Sequence, residues 1–142
     1  MKCLVMSEIE VGQKASLTQE ITEGNVLIFA GVTGDLNPAH ISEEYARQTK
    51  FKKRIAHGLL SVSLIAAALG TELPGAGSVY VSQDVKFKAP VFIGDSITAE
   101  LEVIAKDVER NRITLKTICT NESGQVVIEG QAVTMPYREK VF

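Results

Sequence analysis

The residues best equipped for chemistry stand together in Thr33-Gly34-Asp35-Leu36-Asn37-Pro38-Ala39-His40. The stretch holds an acid, an Asn-Pro pair and one of the 2 histidines of the chain. The other histidine lies in Ile55-Ala56-His57-Gly58, directly before the longest apolar run. Singly, each residue has a plain structural reading. Asp35 can end a helix or start a turn. Asn37 and Pro38 are ordinary turn formers, Asn by bonding local backbone and Pro by fixing φ. A lone histidine is more often structural than catalytic. Together they say more. A rigid Asn-Pro turn can hold a carboxylate and an imidazole at fixed separation, which is what two proton-transfer groups acting on one substrate require.

Gly58 opens the apolar run, where a helix N-terminus leaves backbone N–H groups free and favours negative charge. A carbonyl oxygen turning enolate-like would be stabilised there, and a residue without a side chain lets it approach. His57 reads as a partly buried ring that orients the connector. Acid, base and oxyanion donor together suit proton chemistry beside a carbonyl, and hydration of an α,β-unsaturated thioester fits. Water must lose a proton to attack the β-carbon, the α-carbon must gain one, and the thioester oxygen carries charge in between. Metal-ligand residues are too few for an evident site, and no GxGxxG or GxxxxGK[ST] motif is present. Neither a metal nor a bound cofactor is expected.

These residues need a frame. Ala15, Leu17 and Ile21 share one parity, which predicts a strand over about 14–21. Thr22 caps a predicted helix carrying Val26, Leu27, Phe29, Ala30 and Val32, with Gly34 as its stop. Ser42, followed by Glu43 and Glu44, caps a short helix to about Thr49. The run over 58–70, GLLSVSLIAAALG, is apolar almost all round and predicts a helix covered on most sides. After Gly77 the period changes to two. Val79, Val81, Val85 and Phe87 fall on one parity; Ile97, Ala99, Leu101, Val103 and Ala105 on another. Ile113, Leu115 and Cys119 mark a third strand, and Val127 and Val133 fall in a fourth. One antiparallel sheet wrapped around one long apolar helix is an α+β hot-dog arrangement. Apolar residues on the sheet's outer face point to a homodimer.

The chain has 142 residues, enough for one domain over 1–142 with a sizeable core. A formal net charge of −2 argues against generic nucleic-acid binding. Cys3 and Cys119 are too few for a disulfide framework or a four-ligand zinc site, and Cys119 reads as a buried thiol. The apolar patch near the start is short for a signal peptide, and no apolar stretch reaches membrane-spanning length. A soluble, cytoplasmic protein without membrane attachment is the expectation.

The stretch Asp35-Leu36-Asn37-Pro38-Ala39-His40 resembles the D-x-N-P-x-H signature of MaoC-like hot-dog dehydratases, specifically the short (R)-specific enoyl-CoA hydratases. The likeness continues through Ile55 to Leu60, Leu73 to Tyr80 and Phe87 to Asp95, and covers nearly the whole chain. The resemblance implies a homodimer with its two long helices back to back under a continuous sheet. It implies that Asp35 and His40 activate one water for syn addition to a trans-2-enoyl-CoA, giving an (R)-3-hydroxyacyl-CoA. It also implies that the N–H of Gly58 meets the thioester oxygen, and that Ala66 and Leu69 stand among the acyl-pocket walls. Position 66 is a departure, since the family carries Ser nearby. Lys50, Lys52, Lys53 and Arg54 are candidates for the phosphates of coenzyme A or for a solvated basic end, and Lys86 and Lys88 are equally ambiguous. Three rivals share the frame: an acyl-carrier-protein dehydratase, a hot-dog thioesterase, and a non-catalytic acyl-CoA-binding subunit. The last has no need to keep both Asp35 and His40.

Overall fold

A computed structural model describes residues 1–139. Strand β1 (Lys14–Glu20) leads into α1 (Glu23–Thr33), two short helices α2 (Pro38–Ile41) and α3 (Glu43–Arg47), and the long α4 (Gly58–Thr71). Four strands follow: β2 (Val79–Phe87), β3 (Ser96–Asp107), β4 (Arg112–Thr120) and β5 (Val126–Met135). They form one antiparallel sheet in the order β1-β3-β4-β5-β2. This is the α+β hot-dog architecture that the sequence pattern predicts. No helix among the described residues is long and apolar enough to cross a membrane.

The sheet closes on one face of α4. Leu64, Ile65, Ala68 and Leu69 recur at helical spacing and pack against Ile97, Ala99, Leu101, Ile113, Leu115 and Cys119. Burying one such side chain contributes ~1.5–3 kcal/mol, so this contact dominates the core. The opposite face of α4 is less covered than its composition predicts. Leu59 and Ser63 are exposed, and Ala66, Ala67 and Gly70 are half-buried.

Two strand faces differ from the parity reading because bulges intervene. The register of β2 shifts between Tyr80 and Ser82, and that of β3 between Val103 and Ala105. An extra residue flips the alternation beyond it. Val81 therefore does not continue an inward row, and Ala105 is exposed whereas Val103 is buried. In β5 a register shift against β4 falls beside Val127; Val127, Ile128, Ala132 and Thr134 are buried, and Val133 is half-buried.

The caps follow their residue types. Thr22 Oγ1 accepts from the Asn25 N–H at 3.0 Å, and Gly34 ends α1 at φ +77°. Ser42 Oγ accepts from the Tyr45 N–H at 3.1 Å. The Asn-Pro pair does more than turn the chain. Asn37 Oδ1 accepts from the Ala39 N–H and caps α2, with Pro38 as its first residue, so His40 sits on a helical turn. The long helix runs one residue beyond Gly70, to Thr71.

Candidate active site

Four segments converge on one cavity of about 610 Å³. The end of α1 and the following loop supply Phe29, Thr33 and Asp35. Helix α2 supplies His40, and the connector with the first turn of α4 supplies Ile55, Ala56, His57, Gly58, Leu59 and Ser61. The end of β2 and the segment after it close the other side with Phe87 to Val91.

The acid lies on a tightly wound loop. The Asp35 N–H donates to Thr33 Oγ1 at 3.1 Å, and Asp35 Oδ1 accepts from the Asn37 N–H at 3.2 Å. That leaves Oδ2 for another partner. The imidazole of His40 is 8% exposed. Its Nδ1 lies 2.7 Å from the carbonyl oxygen of Ile55. A carbonyl only accepts, so Nδ1 carries the hydrogen and Nε2 keeps the lone pair. One carboxylate oxygen of Asp35 and one ring nitrogen each of His40 and His57 lie within 4.8 Å of one another. A water bonded at about 2.8 Å to two groups, at a near-tetrahedral angle, bridges about 4.6 Å. A carboxylate oxygen and a ring nitrogen within that limit can share one water.

The connector clamps this pair. Arg54, 6% exposed, donates from Nε to the His40 carbonyl at 2.7 Å. Its Nη1 meets Glu23 Oε1 at 2.7 Å and Glu43 Oε1 at 3.5 Å. Arg54 thus faces inward and holds three helices together, which takes it out of the basic run considered for phosphate contact. Lys50, Lys52 and Lys53 stay on the surface, with Lys53 Nζ 4.3 Å from the Phe92 ring centroid. Lys88 borders the cavity and pairs with Glu129 at 3.2 Å. His57 does more than orient the connector: its Nε2 lies 3.0 Å from the Asp35 carbonyl oxygen, and its ring stacks on that of His40 at 3.9 Å. Two signals for these roles were present in the sequence, an arginine among lysines and a histidine beside the helix-opening glycine. Neither residue type alone tells an inward side chain from a solvated one.

Gly58 stands where the sequence places it, at the first position of α4, whose N-cap makes no side-chain hydrogen bond. The Leu60 N–H bonds the His57 carbonyl, and the N–H groups of Gly58 and Leu59 lead the helix ahead of it. A Cβ on Gly58 would stand 2.6 Å from Phe87 Cε1, so the absence of a side chain admits the Phe87 ring. Ala66 and Leu69, expected among the acyl-pocket walls, do not border this cavity. Along α4 it reaches Ser61, and Ala66 lies about 7.5 Å further along the helix axis. Leu69 is instead part of the core. Ser61, Phe87 and Ile128 border the cavity where those two were expected.

Asp35, His40 and His57 each offer one ligand atom, all within 4.8 Å of one another, and each imidazole gives its other nitrogen to a backbone carbonyl.

A sheet wrapped on a buried helix, with a carboxylate and an imidazole spaced for one water beside an open helix N-terminus, defines a hot-dog protein of the acid–base type. The chain belongs to the MaoC-like domain family, whose model matches residues 5–124. It is 52% identical over 128 residues to a Rhodospirillum rubrum protein called (R)-specific enoyl-CoA hydratase, covering 90% of this chain and 88% of that one. It is 44% identical over 141 residues to a 3-hydroxybutyryl-CoA dehydratase of Methylorubrum extorquens, covering 99% of this chain and 89% of that one. Among solved structures, an R-hydratase of Pseudomonas aeruginosa superposes with a TM-score of 0.93 at 44% identity, covering 96% of this chain and 88% of the other.

Proposed function

We infer that this chain is an (R)-specific enoyl-CoA hydratase, adding water in syn fashion to a trans-2-enoyl-CoA and catalysing the reverse dehydration of the (R)-3-hydroxyacyl-CoA. The observation that carries the reading is the 4.8 Å cluster of Asp35 and His40 at the uncapped start of α4, in a chain 52% identical to a relative of that name. We assign one water to the gap between Asp35 and His40 Nε2. The pair takes one proton from the water as its oxygen bonds to the β-carbon. A proton returns to the α-carbon on the same face, because both groups lie on one side of the substrate. The Gly58 N–H meets the thioester oxygen as charge collects there, at the positive end of the α4 dipole. No electrons change hands, so no cofactor is proposed beyond the coenzyme A of the substrate.

We further propose a homodimer in the cytoplasm. β2 is an edge strand with Val79, Tyr80, Val81 and Phe87 exposed, and such edges seek a partner. The less covered face of α4, with Ser63, Ala66 and Gly70, is suited to close approach of a second helix. Both cysteines are free, in keeping with a reducing compartment.

The test is purified protein with crotonyl-CoA, followed by loss of enoyl absorbance and chiral analysis of the product. The (R)-3-hydroxybutyryl thioester is expected. An (S) product, or thioester hydrolysis without hydration, would refute the reading. The same assay with crotonyl carried on acyl carrier protein ranks the carriers, and a higher kcat/KM for coenzyme A is expected.

A further inference from the structure

Histidine 57 has no part in the chemistry just proposed, yet it touches both groups that carry it. It is 2% exposed. Its Nε2 faces the Asp35 carbonyl at 3.0 Å, so Nε2 bears the hydrogen, and Nδ1, buried and without a partner among the described residues, bears the lone pair. His40 is pinned the other way, with its hydrogen on Nδ1. The two rings stack with centroids 3.9 Å apart, and Phe29 supports His57 from another side at 4.8 Å.

The hydrogen bonds of the Asp35 loop show why this contact matters. Asp35 bonds Thr33, Leu36 bonds Gly34, and Asn37 bonds Asp35, all within two residues. Those bonds shape the loop without fixing its place. The ends of the loop are joined to their flanking helices, Gly34 to Ala30 of α1 and Asn37 to Ala39 and His40 of α2. The bond to His57, across 22 residues, is the one among the described residues that ties residues 34–37 to the chain beyond those two helices. His40 is held independently, by Ile55 on its ring and Arg54 on its carbonyl. His57 is thus the long-range contact shared by the acid's loop and the base's ring.

We propose that His57 is the positioning residue of the pair: its edge tethers the Asp35 loop, its face backs the His40 ring, and together they set the gap that one water fills. The inference rests on the hydratase reading. A misplacement of about 1 Å between reacting groups can cost ~10²-fold in rate. When His40 accepts a proton, the cation that forms lies against the face of the His57 ring, an attractive arrangement.

Three variants separate the parts. His57→Phe keeps a face and loses the donor, His57→Gln keeps a donor and loses the face, and His57→Leu loses both. With crotonyl-CoA, His57→Leu should lower kcat ~10²-fold with KM changed less than about threefold, and the other two should fall in between. In an Asp35→Asn background, His57→Leu should cost less than about threefold more, because the tether acts through Asp35. An equal loss in both backgrounds would overturn the proposal, and so would a kcat near wild type in all three variants. If His57→Leu does not fold, His57→Phe and His57→Gln carry the same comparison. A readout independent of activity comes from the imidazole nitrogens. With 2 histidines in the chain, long-range proton–nitrogen spectra at about pH 8 should show opposite tautomers, Nδ1–H for His40 and Nε2–H for His57. An Nδ1–H tautomer at His57 would overturn the tether even in an active hydratase. A wild type that leaves crotonyl-CoA unhydrated while showing both expected tautomers would instead refute the hydratase reading, and the positioning role with it.

Discussion

Replacing Gly58 by Ala adds one carbon at the point where α4 opens onto the cavity. That carbon would meet Phe87 Cε1 at 2.6 Å, Cδ1 at 3.0 Å and Cζ at 3.1 Å. Ordinary carbon contacts need ~3.5–4.0 Å, so the ring must withdraw by about 1 Å or the helix start must tilt. Phe87 is 56% exposed, which lets the ring turn into solvent at small cost to the fold. Loss of glycine's freedom in the unfolded chain offsets part of that cost, by ~0.4–1 kcal/mol. The thermal midpoint should therefore stay within about 4 °C of wild type. Activity has no such relief. The new methyl occupies the approach to the Gly58 N–H, and a displacement of about 1 Å there should lower kcat/KM by ~10²-fold, or about 2.7 kcal/mol of transition-state stabilisation. The assay is initial-rate hydration of crotonyl-CoA beside a thermal melt. Adding Phe87→Ala relieves the collision and should recover about tenfold of the loss. A Gly58→Ala enzyme with full kcat/KM would refute the idea that close approach at the α4 N-terminus serves the reaction.

Arg54→Met removes the donor to the His40 carbonyl and the anchor of Glu23 and Glu43. The loss should be ~1.5–3 kcal/mol in urea unfolding, with a fall in kcat and little change in KM. Cys119 is buried, and burial pushes its thiol up to about 12. The unfolded thiol releases its proton near pH 8.5–9 while the folded one retains it, so stability should decline with pH above that point, by ~1.4 kcal/mol per pH unit for this group. Urea midpoints at about pH 8 and pH 10 should fall less in Cys119→Ala than in wild type. Ala66 lies beyond the cavity, so Ala66→Leu should leave the acyl-chain preference unchanged, whereas Ser61→Val, which narrows the cavity, should shift it toward shorter chains. Comparing kcat/KM for enoyl-CoA substrates of four, six and eight carbons checks both.

What the sequence made legible was mostly local. Thr22, Ser42 and Gly34 act where capping chemistry puts them, because each needs only its neighbours along the chain. The long apolar run became α4 because nothing within it breaks a helix. The strand parities succeeded in β4, because the extra residue of its bulge with β3 lies in β3 and leaves Ile113, Leu115 and Cys119 in unbroken alternation. They failed in β2 and at the end of β3, where a bulge is set by the partner strand and leaves no local mark. The Asp35–His40 turn was readable because Asn37 and Pro38 fix its geometry within six residues. The clamps on it were not readable. Arg54 and His57 gain their roles from contacts across 14 and 22 residues, which no spacing rule reports. The walls of the cavity were not readable for the same reason: Ile128 borders it from a strand at the far end of the chain, whereas the family resemblance pointed to Ala66 and Leu69.

The central claim is that Asp35 and His40 act together on one water. Its most direct test is the kcat for crotonyl-CoA of Asp35→Asn, His40→Gln and the double variant, each first shown to be folded. A positioned acid or base contributes ~10²–10⁴-fold, so each single change should cost that much. Two groups on one water are not independent, so the double variant should be slower than the worse single by less than about tenfold. Losses that multiply in the double variant, or a near-normal rate in either single one, would contradict the account.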